Sequence, residues 1–470
     1  MITFKQFKRD FAAIQNDAGR FMSQSVVTLL EAEISRAVTE IWLEYPYVDK
    51  DFRATWYNDL SKRFQEISRD SIRLHLFYKP GRFTSENYAG FITLRDTAEF
   101  TLGRSYISPR ALEGFTSGYC ALARYPVQFR GMELEVAAFP WMQQDGNVSR
   151  CAHIAAWSII RYFSQKYTYY PEKTLHEITA YDSNIRQIPS RGATVDQIAQ
   201  ILRRNRFEPD IYFRKITGRD AADNKKASRL FERILYTVIE SGIPFVAGLQ
   251  QLKHAVAVVG HGPPTNPDDV FGQNDGIVDS ALLVTHLLIS DDNHLPYRPI
   301  SSGPQKGQTT IDNIDVAIVP FSQPMYLDVQ VLFDEILPRV ETHMPPGPAD
   351  KTLIRRVFLT SSNSFKKTLL ATSKDAEYRE KHLDLQMPRF IWVVEYATIA
   401  EYRKKRVSAR MLFDATLLNF ASVQFISYKT GNELCVCKAN GTAPEIIQLA
   451  KKTEPRYENN LQAVVVKSGR

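Results

Sequence analysis

At 470 residues and 53.8 kDa the chain is long enough for about three domains of ordinary size, and 44% hydrophobic with 24% charged residues excludes a wholly disordered polymer. A formal charge of +7 is small for that mass and, without a concentrated basic patch, argues against a nucleic-acid-binding role. No run approaches the ~18 uninterrupted apolar residues of a membrane span, and the start Met1-Ile2-Thr3-Phe4-Lys5 has no apolar signal segment, so a cytoplasmic protein without a membrane partner is expected.

In chain order, Phe4, Phe7, Phe11 and Ile14, then Val26, Leu29, Leu30, Ile34 and Ile41, have the spacing of amphipathic helices. Trp56, Leu60, Phe64 and Ile67 repeat it, so the first ~80 residues are expected to be helical up to the turn Lys79-Pro80-Gly81. Short apolar runs from Tyr88 to Val136 predict strands. A strongly apolar helix is predicted over 149–170, ending before Pro171. A second helix, 194–205, opens with Thr194 and Gln197 at capping-box spacing, and a third, 226–241, closes on Gly242 with Pro244 beyond. Strands are expected at 243–249, 255–260 and 282–290, with 262–276 a polar loop, and an α+β region follows Pro320. There a helix is expected at 327–337, strands at 354–360, 389–396, 422–428 and 433–438, and a helix or strand at 407–420. The expected division is 1–135, 136–325 and 326–470.

Four cysteines, Cys120, Cys151, Cys435 and Cys437, are too few for a disulfide framework, which leaves thiols for chemistry. Cys151 opens the alanine-rich helix, where unpaired amides and the positive end of the helix dipole stabilise a thiolate. The same amides can donate to an oxyanion, and Gln144 on the approaching loop is the candidate second donor, with Gln143 its rival. A proton acceptor is offered by His254, at the mouth of the strand in Lys253-His254-Ala255-Val256-Ala257-Val258-Val259-Gly260. The next strand ends in Ser290-Asp291-Asp292, so Asp291 is the candidate carboxylate to hold the imidazole, and Asp292 stays open as the alternative because the register can slip by one.

This order of Gln, Cys at a helix start, His-Ala-Val-x-Val-Val-Gly and Asp at a strand end resembles the papain-like cysteine peptidases. Over residues 136–300 it is most similar to the bacterial branch that includes bacteriocin-leader-processing peptidases, whose third member is an Asp, and Gly192-Ala193-Thr194-Val195 resembles that branch's intervening helix start. The resemblance implies an α+β fold in which the nucleophile helix of a papain-like central domain packs on an antiparallel sheet, flanked by a helical and β N-terminal region and an α+β C-terminal domain. It implies a cysteine peptidase or amidohydrolase working through Cys151, His254, Asp291 and Gln144 and an acyl-thioester, on a peptide or protein substrate, with no metal or organic cofactor. The chain departs from the branch in Ala152 and His153, where Gly and a small residue are usual, and in the long 262–276 insertion.

Other readings stand beside it. The same site can perform acyl transfer or deamidation, and a catalytically silent domain can serve as a scaffold for protein partners through the flanking regions. His261 and His286 compete for the role of base, while His153, two residues along a helix from Cys151, faces away from it. Cys435-Val436-Cys437 reads as strand rather than metal site, for want of a second pair at zinc spacing. The run Arg403-Lys404-Lys405-Arg406 with Arg410 reads as a solvated turn or hairpin.

Overall fold

The computed structural model describes residues 2–97, 101–146, 151–180, 192–214, 221–303, 309–417, 425–437, 444–458 and 460–466. They form a mixed α+β protein of three large sheets, almost wholly antiparallel. Among them no helix is long and apolar enough to cross a membrane.

The first sheet orders its strands Thr3–Lys8, Glu40–Tyr47, Ser71–Phe77, Tyr88–Leu94, Ser105–Ile107, Met132–Trp141 and Ala123–Phe129. The expectation of a helical first 80 residues is therefore corrected: helices Phe11–Ala18, Gln24–Glu33 and Lys50–Asn58 alternate with strands. Phe4 and Phe7 have helical spacing, but Thr3–Lys8 pairs along its whole length with Glu40–Tyr47, and that ladder overrides a weak local periodicity. Asp10, Ser23 and Asp49 cap the three helices by accepting from amides three residues on.

The second sheet runs Arg298–Ser301, His286–Ser290, His254–His261, Phe245–Leu249, Val316–Phe321 and Glu208–Phe213, each pair antiparallel. The helix Cys151–Lys166 packs on its strand His254–His261. Of the helix expected over 149–170 it covers 151–166, ending earlier than expected, and 147–150 lie outside the described residues. The helix Val195–Arg204 opens with the expected capping box of Thr194 and Gln197, and Ala221–Glu240 ends before Gly242 at φ +74°. Residues 282–283, expected at the start of the 282–290 strand, belong to a short 3-10 turn, Ser280–Leu283, and the strand itself begins at His286.

The third sheet orders Ile277–Asp279, Leu353–Ser361, Phe390–Thr398, Ala409–Asp414, Phe425–Thr430, Glu433–Val436 and Glu445–Gln448. Of the 407–420 segment the described part is the strand Ala409–Asp414, while 418–424 and 438 lie outside the described residues. Helices Ser362–Thr372 and Ala376–Asp384, not anticipated, cover this sheet's own small core around Phe358, Phe365 and Tyr378.

The sheets exchange strands. Ile277–Asp279, directly after the polar loop 262–276, runs parallel to Leu353–Ser361. Ser117–Cys120 joins the far end of His254–His261, and Gln462–Val465 pairs with it in turn. A Cβ on Gly260 would come 2.3 Å from the Tyr119 carbonyl oxygen, so the glycine that ends the His-Ala-Val run is needed for this strand to approach. A buried ion pair ties the third sheet to the helix Ala221–Glu240, Arg356 meeting Glu240 at 2.6 Å, and within the sheet Glu395 joins Arg356 at 2.9 Å and Arg410 at 2.6 Å.

Candidate active site

The helix Cys151–Lys166 is held by carboxylates, Asp51 foremost. Asp51, 2% exposed at the start of Lys50–Asn58, accepts from the Trp157 indole at 3.1 Å, the Arg161 guanidinium at 2.7 Å and the Leu175 amide at 3.0 Å. Twelve consecutive residues of the helix, Ala152 to Phe163, are buried, so it cannot roll without breaking these contacts. Cys151 is the partly exposed exception at its N-terminus, with a free thiol. His153 is buried.

Opposite lies His254. Leu249 and His254 are the last pair of the hairpin formed by Phe245–Leu249 and His254–His261, and Lys253, in the left-handed region at φ +50°, turns the chain into the strand. His254 Nε2 is 3.0 Å from Asp291 Oδ1, and the ring also hydrogen-bonds the Cys151 sulfur. With Nε2 engaged by the carboxylate, Nδ1 is the nitrogen left for sulfur. Burial alone would lower the imidazole pKa, but the hydrogen bonds and charges of Asp291 and Cys151 outweigh it and raise it to about 10. Burial likewise pushes the Asp291 carboxyl up, and the His254 contact overrides this to hold it below its ordinary value.

Three of the four site residues named from sequence, Cys151, His254 and Asp291, thus meet in one line of contacts. Asp291 Oδ1 also accepts from the Asn293 amide at 3.0 Å and its side chain at 3.2 Å, and the Trp141 indole donates to the Asp291 carbonyl at 2.7 Å. That last bond ties the carboxylate to the strand leading into the glutamine loop.

The two glutamines differ in what each side chain already does. Gln143 is buried, its Oε1 accepts from the Leu102 amide at 3.1 Å, and its backbone pairs with the same residue. Gln144 is half-buried, carries no such side-chain tie among the described residues, and directs its backbone amide toward the Asp292 carboxylate. It is the one free to face a substrate.

Asp291 and Asp292 were treated as alternatives, since neighbours on a strand point oppositely. The strand ends at Ser290, however, and a turn closed by the His294 amide on the Asp291 carbonyl brings both carboxylates to the ring, Asp292 Oδ1 lying 3.8 Å from His254 Nε2. Asp292 is 3% exposed, and neither oxygen makes a well-formed hydrogen bond. Burial raises its carboxyl pKa to about 6. Its presence as a second carboxylate was missed, and the adjacent Asp pair at a strand end was the signal for it.

The rival bases are occupied elsewhere. His261 is 2% exposed between Glu240 at 2.8 Å and the Gly262 carbonyl at 2.7 Å. His286 begins the strand that Asp291 follows and meets the Thr285 hydroxyl at 3.1 Å. Cys435 sits in a strand beside Cys437, and no His or carboxylate joins them in a metal-binding group among the described residues. Arg406 and Arg410, from the basic run, serve structure: Arg406 bonds Thr453 and Arg410 is buried on Glu395. A cavity of about 550 Å³ lies at the opposite end of the nucleophile helix, around Phe163, Lys166 and Arg389, away from Cys151.

In comparisons with known proteins, no family model, no curated protein and no solved structure matches the chain.

Proposed function

We propose that the chain is a cysteine hydrolase of the papain-like kind, cleaving a peptide or amide bond. The observation that carries this reading is the contact line from the Cys151 sulfur through the His254 ring to Asp291, with the sulfur at a helix N-terminus. The helix packed on an antiparallel sheet is the arrangement such an enzyme needs. Asp291 and Cys151 around the ring favour its protonated, imidazolium form before substrate arrives.

Cys151 attacks the substrate carbonyl carbon, forming a C–S bond while the carbonyl π electrons move to oxygen. Helix amides at Cys151 and the Gln144 side chain donate to that oxyanion. Collapse expels the amine, which takes its proton from His254 and leaves a thioester. His254 then accepts a proton from water, whose oxygen attacks the thioester; Cys151 departs as thiolate and the acid is released. Asp291 keeps Nε2–H pointed away from sulfur throughout, so that Nδ1 does the proton transfers.

The test is labelling with an electrophilic thiol probe at neutral pH. Wild type should react at Cys151 and the His254→Ala variant at least roughly 100-fold more slowly, as loss of a positioned base predicts. Equal rates in the two proteins would overturn the reading.

A further inference from the structure

We infer that His254, Asp291 and Asp292 form a binding site for a divalent zinc ion on the side of the imidazole remote from Cys151. The site itself stands on geometry alone; only its consequence, shut-off of the enzyme, rests on the hydrolase reading above.

One carboxylate suffices to orient an imidazole, and Asp291 does so with its own hydrogen bonds met. Asp292 has no such explanation. It is 3% exposed, its only approaching donors among the described residues are its own and the Gln144 backbone amides, neither of which makes a well-formed bond to it, and Oδ1 lies 3.8 Å from the same ring nitrogen. A buried carboxylate without partners costs several kcal/mol unless something neutralises it. The largest charge effects on the two carboxylates come from His254, His294 and, on Asp292, from Asp291. Two negative charges therefore converge on one imidazole, a deficit that a divalent cation fills.

The spacing suits that cation. One ligand atom from each of the three residues lies within 4.8 Å of the others. The two contacts to Nε2, 3.0 Å and 3.8 Å, bracket the separation of about 3.3 Å between ligand atoms around a tetrahedral ion with bonds of about 2.0 Å. One imidazole nitrogen with two carboxylate oxygens is a donor set that zinc accepts with an open position for water, whereas magnesium prefers more oxygens and keeps its own waters. When zinc takes the Nε2 lone pair, the proton there leaves to solvent. A metal-bearing ring accepts a proton at Nδ1 less readily, so the base for Cys151 is lost while the sulfur stays out of the coordination sphere.

Zinc titration of the full chain, by calorimetry in a Cys435→Ser/Cys437→Ser background that removes the other paired thiols, tests this. One zinc should bind, equally to that protein and to its Cys151→Ala version, and at least roughly tenfold more weakly after Asp292→Asn or Asp291→Asn. Magnesium should not compete. Loss of binding in Cys151→Ala would overturn the inference, because sulfur would then be a ligand, and so would unchanged affinity in both Asp variants. Zinc at ten times its dissociation constant should cut probe labelling of Cys151 about tenfold, by simple occupancy. Zinc binding without any labelling of the metal-free protein would sink the hydrolase reading and leave the site standing.

Discussion

Asp292→Asn should stabilise the metal-free protein, although it deletes a charge beside a histidine. Burial raises the Asp292 carboxyl from 3.8 in the unfolded chain to about 6 in the folded one. A raised acid pKa means that the native state resists ionisation, so stability is lost as pH rises through that interval rather than gained. At 1.36 kcal/mol per unit, the wild-type penalty is about 1 kcal/mol at pH 4.5 and levels off at about 3 kcal/mol by pH 7.5. The nearly isosteric amide does not titrate, so its advantage should grow by about 2 kcal/mol between those pH values. Urea unfolding of both proteins with a chelator present, followed by fluorescence of the five tryptophans, reads this directly, since Trp141 bonds the neighbouring Asp291 carbonyl. The first transition is the one to compare. A gain that is flat with pH, or a less stable variant at pH 7.5, would refute the claim that Asp292 is an uncompensated buried acid.

The remaining expectations concern the line of contacts and its supports. With His254 raised to about 10, the alkaline limb of kcat/KM should lie far above the ordinary histidine range, and Asp291→Asn should move it down toward 6.5; an unmoved limb would remove Asp291 from its orienting role. The same raised pKa contributes stability that is complete below pH 6.5 and lost as pH climbs through about 10. Gln144→Ala should lower kcat by roughly 100- to 1,000-fold at unchanged unfolding midpoint, whereas Gln143→Ala should cost about 1–3 kcal/mol of stability for the stranded Leu102 amide; the reverse pattern would exchange their roles. Arg356→Met removes the guanidinium shared by Glu240 and Glu395, leaving Glu240 with His261 and Glu395 with Arg410, and should destabilise by about 3–5 kcal/mol in urea; a neutral effect would mean that the remaining partners suffice.

How much was legible depended on range. The central helices follow from signals within a few residues: the capping box at Thr194 and Gln197, the apolar helix after Cys151, and Gly242 with Pro244 beyond it. The linear order of Gln144, Cys151, His254 and Asp291 carried the site, because a nucleophile wants a helix start and a base wants a rigid strand, both visible locally. The N-terminal segment misled because Phe4 and Phe7 have helical spacing, while the strand exists only through its partner nearly 40 residues later.

Local chemistry in the chain therefore determined which residues were able to act. Tertiary structure alone decided which are placed to: it committed Gln143 to Leu102, set His261 on Glu240, and locked the helix Cys151–Lys166 on Asp51. It also bent the chain after Ser290 so that two carboxylates, not one, reach the imidazole. The reason is physical. Hydrogen-bond satisfaction and burial are properties of neighbours in space, and a residue's neighbours in sequence do not specify them.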